Sequence, residues 1–139
     1  MADRPTFVLD TFALLAYLQD EPVASRIEKL LESAENGKCR LIISIINLGE
    51  ILYITERKGG VSKTQDTLAL IQQLPLEILP ADEQAVFSAA HIKANHALSY
   101  ADSFAVAAAV DKNAVILTDD PEFESVETIA TVEWLKKTA

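Results

Sequence analysis

Short apolar runs alternate with longer stretches of helical periodicity along this chain of 139 residues. The apolar runs predict strands, because a buried parallel strand reads as a nearly continuous series of Val, Ile and Leu. Gly, Pro, Ser and Asp residues mark the boundaries between elements. The predicted strands are 7–10, 40–44, 77–79, 114–118 and 128–132, and the predicted helices are 12–18, 22–36, 46–58, 62–74, 82–95 and 100–112.

This alternation predicts an α/β protein with a mostly parallel sheet of four to five strands, covered by helices on both faces. The length fits a single domain over residues 1–139, and half of the residues are apolar, which argues against disorder. Cys39 is the only cysteine, so no internal disulfide can form. The amino terminus does not resemble a signal peptide, and no apolar run is long enough to span a bilayer, so we expect a soluble cytoplasmic protein with no membrane contact.

The charge of the chain narrows the possible partners. A formal net charge of -9 argues against a general nucleic-acid binder, which normally presents a basic face. It does not exclude a nuclease, since bound cations offset the charge of acidic ligands. A local basic cluster, Arg57, Lys58 and Lys63, follows the predicted helix 46–58, and it is equally compatible with a solvated helix end and with an RNA contact.

Four carboxylates lie at the start, at the end or within predicted core elements. Asp10 closes the run TFVLD, Glu50 interrupts INLGEILYI, Asp102 opens SFAVAAAV, and Asp120 follows AVILT with Asp119 as its rival. Right-handed crossovers bring the carboxyl ends of parallel strands to one edge of a sheet, where these acids can converge. A carboxylate among core residues is costly to bury unless it meets a cation. The pattern therefore indicates a shared divalent metal ion.

Each acid also has a purely structural interpretation. Asp10 can cap the following helix, the pair Ser99 and Asp102 fits a capping box, and Asp119 and Asp120 can form a turn before a proline. Glu50 fits such an interpretation less well, because none of its helical neighbours three or four residues away is a cation. Four acids in this arrangement are much less expected by chance than any one of them.

Other motifs indicate structure more than chemistry. The four glycines form no phosphate-binding loop, which excludes the common nucleotide-binding motifs. His91 and His96 are five residues apart in a predicted helix, so they face different directions and are expected at the surface or at a cap. Cys39 is expected to be a small residue at a strand edge, and Trp134 a packing residue near the last strand.

The segments VLDTFALLAYL, NLGEILY, SYADSFAVAAAV and VILTDDPEF resemble the successive motifs of PIN-domain ribonucleases, in particular the VapC-type toxins of toxin-antitoxin pairs. The resemblance covers the whole chain in order and spacing. It implies a doubly wound three-layer α/β/α fold and a Mg2+ or Mn2+ site that cleaves RNA. Matched position by position, Asp10, Glu50, Asp102 and Asp120 are the four family acids, and Thr11 is the hydroxyl residue after the first. The doublet at Asp119 departs from many relatives and leaves the fourth ligand ambiguous.

The resemblance also implies a mechanism and partners. One or two metal ions would support direct attack of water on RNA, leaving 5'-phosphate and 3'-hydroxyl ends. Asp10, Asp102 and Asp120 would hold the main ion, and Glu50 would hold a second ion or orient water. A homodimer, inhibited by a small antitoxin that delivers an Arg or Lys to the acids, is the expected assembly. The type of RNA is left open.

Two alternatives have the same general architecture. A phosphoacceptor receiver domain is also acidic and doubly wound, but here the middle strand ends in Ser44 and the first strand ends in one acid instead of a pair. A catalytically silent PIN-fold binding module is the second alternative, and the four intact acids count against it.

Overall fold

Five parallel strands form one sheet in this structure, a computed structural model that describes residues 4–135. Their order across the sheet is β3-β2-β1-β4-β5, and all four neighbouring pairs are parallel. The α/β fold with a parallel sheet is therefore confirmed. The strands are β1 (Thr6–Leu9), β2 (Arg40–Ser44), β3 (Glu77–Leu79), β4 (Val115–Thr118) and β5 (Thr131–Trp134).

Helices connect the strands and cover both faces of the sheet. In residues 4–135, no helix is sufficiently long and apolar to pass through a membrane. The helices are α1 (Thr11–Leu18), α2 (Ala24–Glu35), α3 (Ile45–Gln73), α4 (Glu83–Asn95) and α5 (Tyr100–Lys112), and a 3-10 helix covers Pro121–Val126.

Alternation along the strands divides the core into two layers. Leu9 and Ile43 pack with α1, α2 and α3 on one face of the sheet. Val8, Ile42 and Ile116 are fully buried on the opposite face, where α4 and α5 pack. Successive side chains of a strand point to opposite faces, so continuous apolar strands are what a sheet covered twice requires.

The Gly59-Gly60 pair divides α3 into two helical segments. Two helices, 46–58 and 62–74, were expected on either side of this pair, and the structure confirms the division, with a kink at Gly60 and no loop between the segments. Gly60 has φ 85° and ψ 177°, a conformation that glycine adopts without the steric cost of a Cβ atom. The first segment of α3, before Gly60, therefore has a different direction from the second.

The last strand also lies later than expected. Strand 128–132 was predicted, but β5 begins at Thr131, and the 3-10 helix before it was not predicted. The N–H groups of Ile129 and Ala130 both donate to the carbonyl of Val126, at 3.0 Å each. This turn uses the backbone groups that a strand would need, so sheet pairing starts after it.

The strand order places a crevice beside β1. The chain moves from β1 outward through β2 to β3, and then returns to place β4 on the other side of β1. Connections therefore diverge between β1 and β4. In open α/β sheets, ligands bind outside the carboxyl ends of the strands at such a switch point.

Candidate metal centre

Asp10 lies at this switch point, directly after β1, and its side chain is completely buried. Its Oδ1 accepts a hydrogen bond from the backbone N–H of Ala13 at 2.8 Å, which caps α1. Its Oδ2 accepts a hydrogen bond from the hydroxyl of Thr118, the last residue of β4. The capping interpretation of Asp10 is therefore correct. It does not remove Asp10 from the site, because each carboxylate oxygen keeps a further lone pair.

Asp102 lies in the first turn of α5 and is 4% exposed. The hydroxyl oxygen of Ser99 caps this helix by accepting a hydrogen bond from the N–H of Asp102 at 3.1 Å. The positive end of the helix dipole favours a carboxylate at this position. The predicted cap at Ser99 is thus present, and it fixes the start of the helix that carries Asp102.

The two residues of the doublet after β4 have different environments. Asp119 is exposed, whereas Asp120 is half-buried. The N–H of Asp120 donates to the Thr118 hydroxyl oxygen at 3.0 Å, which links Asp120 to the residue that contacts Asp10. Asp120 has φ -87° and ψ 118°, the extended geometry expected before Pro121.

Three acids come closest together at the end of β4. Asp120 accepts a hydrogen bond from the N–H of Glu122 at 3.0 Å, which starts the 3-10 helix. As a result, one carboxylate oxygen each from Asp102, Asp120 and Glu122 lies within 4.8 Å of the other two. Sequence reasoning missed Glu122. The turn after Asp120 brings it back, and the only signal was the acid two residues beyond the predicted ligand.

Glu50 approaches the same edge from the first segment of α3 and is held by two hydroxyl groups. The Thr11 hydroxyl donates to Oε1 of Glu50 at 2.5 Å, and the Tyr53 hydroxyl donates to Oε2 at 3.2 Å. The buried Asn47 side chain supports Thr11, since its Nδ2 donates to the Thr11 hydroxyl oxygen and to the carbonyl of Ala101, each at 3.2 Å. Thr11 was the expected hydroxyl residue, but the contributions of Asn47 and Tyr53 were not foreseen.

Burial and mutual repulsion change the ionisation of two acids. The pKa of Asp10 is raised to about 7, chiefly because its carboxyl group is buried; hydrogen bonds from Thr118 and Ala13 oppose this rise, and the negative charges of Asp120 and Glu50 add to it. The pKa of Asp102 is likewise raised to about 7, chiefly by burial, with the Ser99 hydrogen bond opposing the rise and repulsion from the other three acids adding to it. These charges act on one another, so Asp10, Glu50, Asp102 and Asp120 share one electrostatic environment.

No basic side chain compensates these acids within residues 4–135. The ion pairs there join Arg26 to Glu133, Arg40 to Glu77, and Lys112 to Asp111. Carboxylate oxygens are the ligands that Mg2+ and Mn2+ prefer. A cluster of carboxylates that contains two buried members, Asp10 and Asp102, and lacks a protein counterion in the described residues fits a divalent metal ion.

The expected division of roles among the acids stays a prediction. Asp10, Asp102 and Asp120 were expected to hold the main ion, and the structure adds Glu122, one of whose oxygens lies within 4.8 Å of oxygens of Asp102 and Asp120. Both oxygens of Asp10 also accept hydrogen bonds that connect β1, α1 and β4. These bonds fix the end of β4 relative to the start of α1.

We predict that Asp120→Asn lowers metal affinity and RNA cleavage more than Asp119→Asn does. Asp120 contributes an oxygen to the acidic trio, whereas Asp119 is exposed. Both substitutions keep side-chain shape and remove one charge, so each is the matched control for the other. Mn2+ titrations and initial cleavage rates of the two variants provide the comparison. Equal losses would mean that both residues are ligands, and the reverse order would move the ligand to Asp119.

The two histidines, the cysteine and the tryptophan lie where a purely structural role was expected. His91 is exposed, and His96 ends α4 with its Nδ1 2.8 Å from the carbonyl oxygen of Ser125. Cys39 is buried before β2. Trp134 packs at the end of β5, as expected for a packing residue.

The comparison with protein families identifies the fold. The model of the PIN domain matches residues 7–129, so the chain belongs to the PIN domain family. This membership confirms the resemblance seen in the sequence and disfavours the receiver-domain alternative. No curated protein sequence matches the chain.

Several solved structures share the architecture. The DNA-bound VapBC from Salmonella typhimurium has a TM-score of 0.76 and 23% identity, covering 95% of this chain and 99% of that one. VapBC2 from Rickettsia felis, bound to a promoter DNA fragment, has a TM-score of 0.73 and 20% identity, with coverages of 94% and 99%. VapC20 from Mycobacterium tuberculosis, a toxin that cleaves the Sarcin-Ricin loop, has a TM-score of 0.67 and 17% identity, with coverages of 86% and 94%. At these identities the likeness concerns the fold.

Proposed function

We propose that this protein is a Mg2+- or Mn2+-dependent ribonuclease and the toxin of a type II toxin-antitoxin pair. The observation that carries the proposal is the cluster of uncompensated acids at the switch point of a PIN fold. The similarity of that fold to VapC20 and to VapBC complexes supports RNA as the substrate and a toxin as the biological role.

In the proposed site, Asp102, Asp120 and Glu122 hold the ion, and Asp10 and Glu50 complete the negative surroundings. When bound, the ion supplies Lewis acidity: it lowers the pKa of water and offsets charge on the phosphate during hydrolysis. The hydrogen bonds of Thr11 and Tyr53 hold Glu50 in one orientation, in which its carboxylate can receive a proton from attacking water. Attack by water leaves a 5'-phosphate and a 3'-hydroxyl end.

Cleavage of structured RNA by the purified protein tests this function. We expect cleavage in Mg2+ or Mn2+, none in EDTA, and recovery when the metal is restored. A 5'-phosphate on the products would support attack by water. Cleavage that persists in EDTA would refute the metal-dependent reaction. If no class of RNA is cleaved in Mg2+ or Mn2+, the ribonuclease function is refuted.

We also propose that a small antitoxin binds next to the acids. A groove of about 550 Å³ extends from Asp119 and Asp120 along α1 and the first segment of α3, where Phe12, Leu15 and Ile54 line it. Phe12 is 52% exposed in the isolated chain, a high value for a large apolar side chain. The groove therefore suits the apolar face of an amphipathic segment, with a basic side chain directed at the acids.

Co-expression tests the antitoxin. We expect this protein to inhibit growth alone, and the product of the adjacent reading frame to relieve the inhibition and copurify with it. Phe12→Glu should weaken copurification because it places a charge in the apolar groove, whereas the same change at an exposed residue of α2 such as Ser25 should not. Growth inhibition that the adjacent reading frame does not relieve, together with the absence of a copurifying protein, would refute the inhibitor.

We also propose that the protein is a homodimer. Light scattering should then give twice the monomer mass, and a monomer at all micromolar concentrations would refute the homodimer.

A further inference from the structure

A recess of about 360 Å³ lies on α3, one helical turn beyond Glu50. Gly49, Leu52, Tyr53, Glu56 and Arg57 line it. Tyr53 is 48% exposed, and its hydroxyl donates to Glu50 at 3.2 Å. One side chain thus belongs both to the recess and to the surroundings of the acids.

The side of the recess is a planar and cationic surface. The guanidinium carbon of Arg57 lies 4.9 Å from the centroid of the Tyr53 ring. Within residues 4–135, Arg57 forms no ion pair. Gly49 leaves the neighbouring space open, since a Cβ atom there would have no other atom within 4 Å. Aromatic rings and guanidinium planes are the groups on which unpaired bases of RNA stack.

The position of this surface also matters for charge. A formal net charge of -9 opposes the approach of phosphates to the protein as a whole. An unpaired arginine one or two helical turns from the acids supplies local attraction where the RNA backbone has to approach. The Tyr53-Arg57 contact could stabilise the helix at any position along it. Its location beside Glu50 therefore favours a role in binding RNA.

We propose that this recess binds one unpaired nucleotide of the RNA substrate, adjacent to the bond that is cut. Its base stacks on Tyr53 and Arg57, and the guanidinium contacts a neighbouring phosphate. The inference rests on the proposed ribonuclease function and specifies its substrate as RNA that is single-stranded at the site. It gives a function to the exposed Tyr53 ring beside Glu50.

Glu56 defines the preferred base. A carboxylate accepts hydrogen bonds and donates none, so it favours a base with an exocyclic amino group. Cytosine, adenine and guanine have such a group, and uracil has none. Single-stranded oligocytidine should therefore bind more tightly than oligouridine of equal length.

Binding and catalysis are separated by working in an Asp102→Asn background, in which cleavage is expected to be too slow to consume the RNA during a binding measurement. Fluorescence anisotropy with labelled oligocytidine and oligouridine gives the dissociation constants. In this background, we expect Tyr53→Leu to weaken oligocytidine binding about tenfold, because base stacking is lost. Tyr53→Phe should bind like the parent, since it keeps the ring and removes only the hydroxyl.

Arg57→Gln should reduce the slope of log affinity against log salt by about 0.7, the value for one phosphate contact on a single strand. Lys29→Gln, an exposed charge change on α2, is the matched control and should leave the slope unchanged. Equal affinities of the Tyr53→Leu and Tyr53→Phe proteins would overturn the recess as a nucleotide site. Equal affinities for the two oligomers in the parent would overturn the assignment of the base.

The same experiments distinguish this inference from the function on which it rests. If the protein with Asp102 intact cleaves RNA in Mg2+ and Tyr53→Leu leaves KM unchanged, only the nucleotide site is wrong. If the parent binds no RNA and the intact protein cleaves none, the ribonuclease function fails and the nucleotide site with it.

Discussion

Asp102→Asn is expected to lower metal-dependent RNA cleavage by about 100- to 1,000-fold, the range for removing one preorganised electrostatic contact in an active site. Asp102 is almost fully buried and shares the acidic trio with Asp120 and Glu122. Asparagine keeps the shape of the side chain but lacks the charge that a divalent ion requires. Initial rates at saturating Mg2+ provide the measurement.

The fold should survive this change. Asparagine at position 102 leaves the backbone N–H that donates to Ser99, so the cap of α5 remains. Asp111→Asn is the matched control, because Asp111 lies on the same helix but is exposed. We expect the control to cleave normally and both variants to show the circular dichroism of the unmodified protein. An Asp102→Asn protein that cleaves at the normal rate would remove Asp102 from the site.

In the absence of metal, the protein is expected to lose stability as the pH rises from about 4 to about 8. Asp10 and Asp102 have a pKa of about 7 in the folded protein, against 3.8 as the ordinary value for aspartate. Below pH 3.8 the folded and the unfolded protein both bind these protons, so the two groups do not lower the free energy of unfolding. Between pH 3.8 and about 7 the folded protein keeps protons that the unfolded chain has released, and above about 7 it must ionise buried carboxyl groups, so the loss is then complete. One isolated group with this shift would cost up to about 4 kcal/mol. Because Asp10 and Asp102 repel each other, their two shifts do not simply add, and we expect a total loss of about 2–4 kcal/mol.

Urea unfolding in EDTA across this pH range measures the loss. The profile of Asp102→Asn should be flatter, and the difference between the two profiles isolates Asp102 from all other titrating groups. Mg2+ at pH 8 should stabilise the unmodified protein by mass action on the folded state, while the double variant Asp10→Asn, Asp102→Asn should gain little. A Mg2+ effect of equal size in the double variant would place the ion elsewhere on this acidic chain.

The fold was predictable because its signals are local. Continuous apolar strands such as Leu41 to Ile43 indicate burial on both faces, and the alternation with helices indicates a parallel sheet. The break of α3 at Gly60 was predictable in the same way, because a glycine pair interrupts helical periodicity. The start of β5 was not, since the residues before it could begin a strand or form a turn.

The site was predictable where an acid followed a strand or began a helix, because these positions converge at one edge of the sheet. Glu122 was not predictable in this way, since its position depends on the 3-10 turn that starts at Asp120. The support of Glu50 by Thr11 and Asn47 depends on contacts between residues 36 and 39 positions apart. No pattern within a single element encodes such contacts.

The most direct test of the metal centre follows metal binding and RNA cleavage together during one titration with Mn2+. The paramagnetic resonance signal of free Mn2+ reports occupancy, and the 5'-phosphate content of the products reports the reaction. We predict that the unmodified protein does not cleave RNA before Mn2+ is bound and that cleavage rises in proportion to Mn2+ occupancy. In Asp102→Asn, both the tight binding of Mn2+ and most of the cleavage should be lost. Cleavage before any Mn2+ is bound, or full occupancy in Asp102→Asn, would contradict a metal centre built from these acids.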